Sequence, residues 1–398
     1  MPVLGQKGKT FGNYIFHFVT GTSQTWTAPY SGLIEVFVTG GGGSGARTPS
    51  TDGSEATKAT GGGGGGLSTK TIEVSLGDTY TITCGAGAIP LATARTLAQG
   101  SAGGASRFVT ASGTTIDLNA GGGGGGAGSY TSNSALAGGT GGSASGGTYN
   151  RVGGAGGAIT GTQGTSGIST GGGGVAWHGV GGNSAGYAGG GANNVDTNNC
   201  RYATGGGGTG GRGGNFTDSS TEPNATPGGG TFGNGADSDG SADYPFLKPP
   251  NNGGFSSPSN IGPSDGGNAY YGFQYSGQSS VANLPADSFM TDLFNFTASS
   301  LPAGGNGAQG GNGLSPFGTG GSGNCTVGAA SMGCAGGVFG GGGGYAQTTT
   351  GAMSANNVKG NGGFGGGGGG GVINRSNGQQ VNSGGGPGCC IILYLALT

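Results

Sequence analysis

The most apolar stretch of this chain is 387–398, in which Cys389-Cys390-Ile391-Ile392-Leu393-Tyr394-Leu395 predicts a strand. The second strong β pattern is 33–38, which leads directly into a glycine run. An apolar terminal strand aggregates unless another strand pairs with it and covers it. We therefore expect 387–398 and 33–38 to pair and to close a β framework, and the alternating segment 14–19 also predicts β structure.

Two further segments predict β hairpins. The segments 70–75 and 79–84 alternate between apolar and polar residues on either side of Gly77-Asp78, a tight-turn signal. The segments 108–110 and 115–119 repeat the arrangement, and the latter leads into the next glycine run.

Glycine dominates the rest of the chain, with 111 of 398 residues. Such a composition often indicates a disordered linker, and flexible tethers are the alternative interpretation. Hydrophobic residues at 31 % and charged residues at only 7 % favour order instead. Polyglycine in the polyproline-II conformation has no internal hydrogen bonds, so neighbouring runs can bond to one another laterally. The runs are 40–43, 61–66, 121–126, 171–174, 205–208, 228–230, 341–344 and 365–371.

The fold class predicted from these patterns is mostly β and irregular, with almost no α-helix. A small β framework, with its N- and C-terminal strands paired, would enclose a bundle of packed polyglycine-II helices. We divide the chain into an N-terminal β segment (1–39), a glycine-rich domain with β hairpins (40–235), an insert rich in aromatic residues and proline (236–303), and a glycine-rich return with the closing strand (304–398). One short amphipathic helix is predicted at 287–294.

Charge excludes several partner classes. Lys+Arg 13 and Asp+Glu 15 are spread thinly, so no basic patch predicts nucleic-acid binding. The sequence contains no run of eighteen apolar residues, so it predicts no insertion into a membrane. The first residues lack the apolar core of a signal peptide, so we expect synthesis and assembly inside a cell.

The six cysteines fit no zinc spacing. We interpret them as small buried hydrophobic residues in a reducing compartment. A pair between Cys325 and Cys334 stays open, whereas Cys389 and Cys390 would point to opposite faces of a strand.

Catalytic motifs are weak. In a chain this rich in glycine, G-x-G-x-x-G matches arise by chance, and none lies in a βαβ pattern. The segment 167–171 has the spacing of a nucleophile elbow, but only His17 and His178 are available as bases. We expect no enzyme activity and no cofactor. Asp237, Asp239 and Asp243 make a weak calcium candidate that lacks the terminal bidentate glutamate of an EF-hand.

Four sequence features carry a resemblance to a known family. Trp26-Thr27-Ala28-Pro29-Tyr30-Ser31-Gly32 leads into a strand and a glycine run. The turn Leu76-Gly77-Asp78-Thr79 is followed by Cys84-Gly85-Ala86-Gly87, and the final apolar strand follows Gly386-Pro387-Gly388. In these features, and over most of the chain outside about 236–303, the sequence resembles the glycine-rich domains of bacteriophage tail-fibre and receptor-recognising adhesin proteins. The resemblance implies a polyglycine-II core whose variable loops contact a bacterial surface receptor, and it carries over no catalytic residue.

Candidate receptor contacts are the aromatic residues outside the strands. Trp177 and His178 are adjacent in a glycine-flanked loop, and tryptophan combines apolar area with a polar group. The aromatic residues of the insert have two interpretations, a small core of their own and a rigid binding face, and the two can coexist. The candidates in the insert are Tyr244, Phe246, Tyr270, Tyr271, Phe273 and Tyr275.

The leading functional hypothesis is therefore a non-enzymatic bacteriophage virion protein, a tail-fibre or tail-tip adhesin assembled in the host cytoplasm. Its partners would be a bacterial glycan or outer-membrane protein and other virion proteins, as a homo-oligomer or docked on a fibre. The alternative is a structural or decoration protein of the virion without specific receptor binding. Ice binding by a flat glycine face would need a regular repeat, which the irregular spacing does not provide.

Overall fold

A computed structural model describes seventeen separate parts of the chain, and no helix occurs in them. They are residues 16–19, 23–50, 57–89, 97–111, 116–130, 135–160, 168–176, 202–209, 211–215, 224–225, 228–229, 320–321, 324–326, 336, 339–347, 360–374 and 384–397. The predicted helix at 287–294 lies outside them.

The secondary structure of these residues consists of short strands, most of them at the ends of glycine runs. In chain order the strands are β1 (Phe16–Val19), β2 (Gln24–Thr27), β3 (Gly32–Thr39), β4 (Arg47–Ser50), β5 (Lys58–Ala59), β6 (Leu67–Val74), β7 (Thr79–Thr83), β8 (Ser106–Thr110), β9 (Asp117–Ala120), β10 (Gly128–Ser129), β11 (Ala144–Ser145), β12 (Tyr149–Arg151), β13 (Ile168–Ser169), β14 (Tyr202–Ala203), β15 (Asn224–Ala225), β16 (Asn324–Thr326), β17 (Tyr345–Gln347), β18 (Gly371–Asn374) and β19 (Cys389–Leu397).

Two antiparallel five-stranded sheets enclose one apolar core, and we call this pair of sheets the frame sandwich. Their strand orders are β1-β19-β3-β6-β12 and β11-β9-β8-β7-β2. The pairing of β3 with β19 extends from Thr39 opposite Cys389 to Gly32 opposite Leu397, with a bulge between Tyr394 and Ala396. This confirms the predicted pairing of the two apolar strands from opposite ends of the chain.

The apolar core lies between these two sheets. The alternating residues of β3 and β19 that point inward are fully buried, as the period of two requires. Tyr80 stacks on Phe108 at 4.7 Å between ring centroids, and the Tyr394 hydroxyl donates a hydrogen bond to the carbonyl of Tyr30. The principal core residues are Ile34, Val36, Val38, Ile72, Val74, Tyr80, Ile82, Phe108, Leu118, Cys390, Ile392 and Tyr394.

The hairpin predicted for 70–75 and 79–84 is wrong, although its turn is present. β6 pairs with β3 in one sheet, and β7 pairs with β2 and β8 in the other. Gly77 has a φ of 91°, and the Asp78 carboxylate accepts a hydrogen bond from the Ser75 amide, so the turn crosses between the two sheets. Both strands alternate because both face the same core from opposite sheets. The same alternation would arise in a hairpin, so the sequence pattern does not distinguish the two arrangements. The second predicted hairpin is confirmed by the pairing of β8 with β9.

Glycine runs extend from the frame sandwich, and the run 61–66, which we call the hub run, lies at their centre. Its backbone is hydrogen-bonded to six other segments, namely 40–45, 121–126, 139–142, 153–157, 171–174 and 365–371. The bonds repeat every three residues: Gly63 and Gly66 donate to Gly124 and Gly121 at 2.8 and 2.9 Å. Three residues is also the period of the polyproline-II conformation. Runs from both predicted glycine-rich segments, 40–235 and 304–398, share this one bundle.

A second pair of sheets lies at the opposite end of the bundle. Their strand orders are β10-β5-β13-β14-β15 and β16-β17-β18-β4, and most of their strands pair in parallel. Glycine runs of four to six residues join the two ends directly, from β3 to β4, from β5 to β6 and from β9 to β10. At about 3.1 Å per residue a run of six spans roughly 19 Å. We call this second end the loop end.

The hub run has no room for a side chain, which gives a first prediction. A Cβ on Gly63 would lie well within 3.0 Å of the Thr140 carbonyl oxygen, whereas a Cβ on Gly121 would approach Ser143 at 3.1 Å. We expect Gly63→Ala to lower the free energy of unfolding by about 3 kcal/mol or more, and Gly121→Ala by about 1 kcal/mol. Urea denaturation of both variants measures the difference, and equal losses would contradict a close-packed bundle.

The described cysteines confirm the prediction of buried hydrophobic residues: Cys84, Cys389 and Cys390 are all buried. Burial raises the pKa of Cys84 to about 11 and that of Cys389 to about 12, and it holds the pKa of Cys390 well above its usual range. Cys389 also contacts the Thr39 hydroxyl through its backbone amide, at 3.1 Å.

These pKa values predict alkaline destabilisation. A raised pKa in the folded state contributes stability that is complete below the unfolded value of about 8.5 and is lost as pH rises through the folded value. We expect the free energy of unfolding to fall between pH 8 and pH 11. Replacing all three cysteines by alanine should reduce that slope, leaving a contribution from Tyr80 and Tyr394, whose pKa values burial also raises. Denaturation across this pH range is the measurement, and an unchanged slope would contradict the burial of the thiols.

Candidate functional site

The loop end brings together the ends of several connecting segments. β4 ends at Ser50 and β5 begins at Lys58, so segment 51–56 leaves and returns at this end. The same holds for 131–134, which follows β10, and for 161–167, which precedes β13. This arrangement follows from the bundle, because successive runs travel in opposite directions and the chain must reverse at its end.

A small apolar cluster fixes the ends of two of these segments. Ile159 and Ile168 are fully buried, and Leu136 packs against them. Leu136 and Ile159 exchange two backbone hydrogen bonds of 2.8 Å. Leu136 follows segment 131–134, and Ile159 and Ile168 flank segment 161–167, so the bases of both segments are held in place by packing.

Two cations lie buried at the loop end. Arg47 on β4 is 4 % exposed and Lys58 on β5 is 0 % exposed, and burial lowers the pKa of each. The Thr48 hydroxyl donates a hydrogen bond of 2.6 Å to the Lys58 carbonyl, which links the two strands. Sequence reasoning missed both residues, because each is an isolated cation between an alanine and a threonine, which gives no pattern. Since both side chains are buried, they belong to the base of the loop end and not to its outer surface.

The described residues on either side of the segment that contains the insert are adjacent in the bundle. Gly229 is the last described residue before it and Gly320 the first after it, and the Gly320 amide donates a hydrogen bond of 2.8 Å to the Gly229 carbonyl. The Gly229 amide in turn donates to Gly206. The chain therefore leaves and rejoins the bundle at adjacent positions, with the insert between them.

The predicted contact residues lie outside the residues that the structure describes, so their roles stay predictions. Among the described residues no group of three or more His, Cys, Asp or Glu side chains could hold a metal ion. The residues outside are Trp177, His178, Tyr244, Phe246, Tyr270, Tyr271, Phe273, Tyr275 and the calcium candidates Asp237, Asp239 and Asp243.

Comparison with known proteins places the chain in a family. No helix in the described part of the chain is long and apolar enough to cross a membrane. No curated protein matches the sequence. A family model described as a glycine-rich domain matches residues 18–245, more than half of the chain. Those residues include the hub run and three of the segments that end at the loop end. They also include every strand of the frame sandwich except β19 and the first two residues of β1. By this match, the protein belongs to the glycine-rich domain family.

Proposed function

We propose that this protein is a non-enzymatic bacteriophage adhesin, a tail-fibre or tail-tip component of the virion that recognises a receptor on the bacterial surface. The observation that carries the proposal is the loop end, where a close-packed glycine bundle holds the ends of separate connecting segments side by side. Binding sites are commonly built from loops that a rigid scaffold positions. The residues of those segments are free to vary, since the bundle is held by backbone bonds.

The partner in this proposal is a glycan or an outer-membrane protein loop. The segments 51–56, 131–134 and 161–167 are rich in Ser, Thr, Asn and Gly, which supply adaptable hydrogen bonding. The aromatic residues of the insert would add contact area at low entropic cost. The remaining partners are other virion proteins, with assembly in the host cytoplasm as a homo-oligomer or docked on a fibre.

A steric block tests the proposal and places the site. A biotin-acceptor peptide is inserted either within 161–167, at the loop end, or in the turn at Leu76, which is 69 % exposed on the frame sandwich. Fluorescent full-length protein is then titrated onto a panel of bacterial cells with and without streptavidin. We expect saturable binding to particular strains that streptavidin abolishes at the loop end and leaves unchanged at Leu76.

Removal of 236–303 tests the contribution of the insert. Because Gly229 and Gly320 are hydrogen-bonded neighbours, the shortened chain can still close the bundle. If binding falls while the variant keeps the wild-type unfolding midpoint, the insert carries part of the receptor site. If the intact protein binds no cell but co-sediments with virion particles, the adhesin proposal is wrong and the alternative of a structural virion protein takes its place.

A further inference from the structure

Four of the long glycine runs are preceded directly by a buried threonine. Thr39, Thr60, Thr170 and Thr204 stand before 40–43, 61–66, 171–174 and 205–208, and each is 1 % exposed or less. The last three begin their runs at the loop end, after β5, β13 and β14. Most hydroxyls buried this completely are hydrogen-bonded, because an unpaired one costs free energy.

Backbone hydrogen bonds alone do not fix the position of each glycine run along its axis. The lateral bonds repeat every three residues, so a run that slides along its axis by three residues recovers the same bonds. In a β-sheet the side-chain pattern specifies register, and segments rich in glycine specify it weakly. Another group must therefore fix each run along its axis.

The Thr170 hydroxyl links three segments at the start of its run. It accepts a hydrogen bond from the Gly61 amide at 3.2 Å and donates one to the Gly157 carbonyl at 2.6 Å. Gly61 is the first residue of the hub run, and Gly157 lies in the neighbouring run. If this run slid by three residues, Thr170 would move away from Gly61 and Gly157. A glycine, which has no hydroxyl, would take its place beside them.

The other two threonines repeat this geometry. The Thr204 hydroxyl accepts a hydrogen bond from the Gly171 amide at 3.4 Å. The Thr60 hydroxyl accepts from the Ala127 amide at 2.7 Å and donates to the Ala137 carbonyl at 2.9 Å. The three residues are also in register, because Ala59 is opposite Ser169 and Ser169 is opposite Ala203.

We propose that the threonines at the loop-end starts of the glycine runs, Thr60, Thr170 and Thr204, are the positioning residues that fix the axial register of the bundle. Thr170 and Thr204 each accept the first amide of the adjacent run, and Thr60 bonds to Ala127, the residue that directly follows run 121–126. They thereby set the height at which β5, β13 and β14, and the connecting segments before them, emerge at the loop end.

The sequence after β15 is consistent with an end to this series. β15 is the last strand of its sheet, and Thr226 and Pro227 follow it in the positions that Thr204 and Gly205 take after β14. Thr226 and Pro227 lie outside the described residues. A proline has no backbone amide, so Pro227 could not donate the hydrogen bond that Gly61 and Gly171, the first glycines of their runs, donate.

The test uses the full-length protein labelled with carbonyl-¹³C threonine, carbonyl-¹³C valine and ¹⁵N glycine, so that NMR detects only glycines that follow a threonine or a valine, and Gly171 stays visible in Thr170→Val. Amide hydrogen exchange is measured in Thr170→Val and Thr204→Val. Loss of its acceptor destabilises a buried donor, so we expect roughly tenfold faster exchange of the affected amide. Thr170→Val should accelerate Gly61 and leave Gly171 unchanged, and Thr204→Val should do the reverse.

Matched controls separate this role from general stability. Thr170→Ser keeps the hydroxyl and should keep the protection of Gly61. Thr209→Val and Ser169→Ala remove buried hydroxyls that make no hydrogen bond within the described part of the chain, so neither should change exchange at Gly61 or Gly171. Equal acceleration of both amides in either valine variant, or no acceleration in both, would overturn the proposal. If Thr170→Val fails to fold while Thr170→Ser folds, Thr204→Val alone tests the proposal: faster exchange of Gly171 with Gly61 unchanged supports it, and any other result overturns it.

Discussion

The structure depends on backbone hydrogen bonds between glycine runs that have no side chains to separate them. The hub run is bonded to six neighbouring segments, and an added Cβ at any of its six positions would lie well within 3.0 Å of a carbonyl oxygen. Glycine loses more conformational freedom on folding than any other residue, so this order needs many bonds made together. The bundle is therefore a core built from backbone, with the aliphatic core confined largely to the frame sandwich.

The two ends of the bundle differ in structure and in what they stabilise. At the frame sandwich, β3 and β19 pair and bury their apolar faces, which joins the two ends of the chain and closes the bundle. At the loop end, short parallel strands and buried threonines hold runs in register while the chain reverses direction. A close-packed bundle that positions chain reversals at one end suits recognition, because binding sites are commonly built from loops on a scaffold. The adhesin proposal therefore rests on the loop end.

Sequence reasoning succeeded where side chains carry a period. The alternation in 33–38 and 387–398 predicted the central pair of strands, and low charge with spaced hydrophobic residues predicted order in the glycine runs. It failed at the Gly77 turn, because two strands that face one core from opposite sheets alternate as a hairpin does. Neighbours within the bundle could not be predicted, since identical glycines carry no pairing information. Nor could the buried Phe339, whose φ of 66° is unusual for a residue with a side chain.

The most direct measurement is hydrogen exchange across the whole hub run, followed by NMR on ¹⁵N-glycine-labelled protein. The amides of 61–66 donate to other segments of the bundle, so they should exchange only when the bundle opens. We predict that their protection equals that of the slowest amides of β3 and β19. Exchange of these glycines at the rate of an unstructured peptide would show that the runs are tethers and would contradict the account.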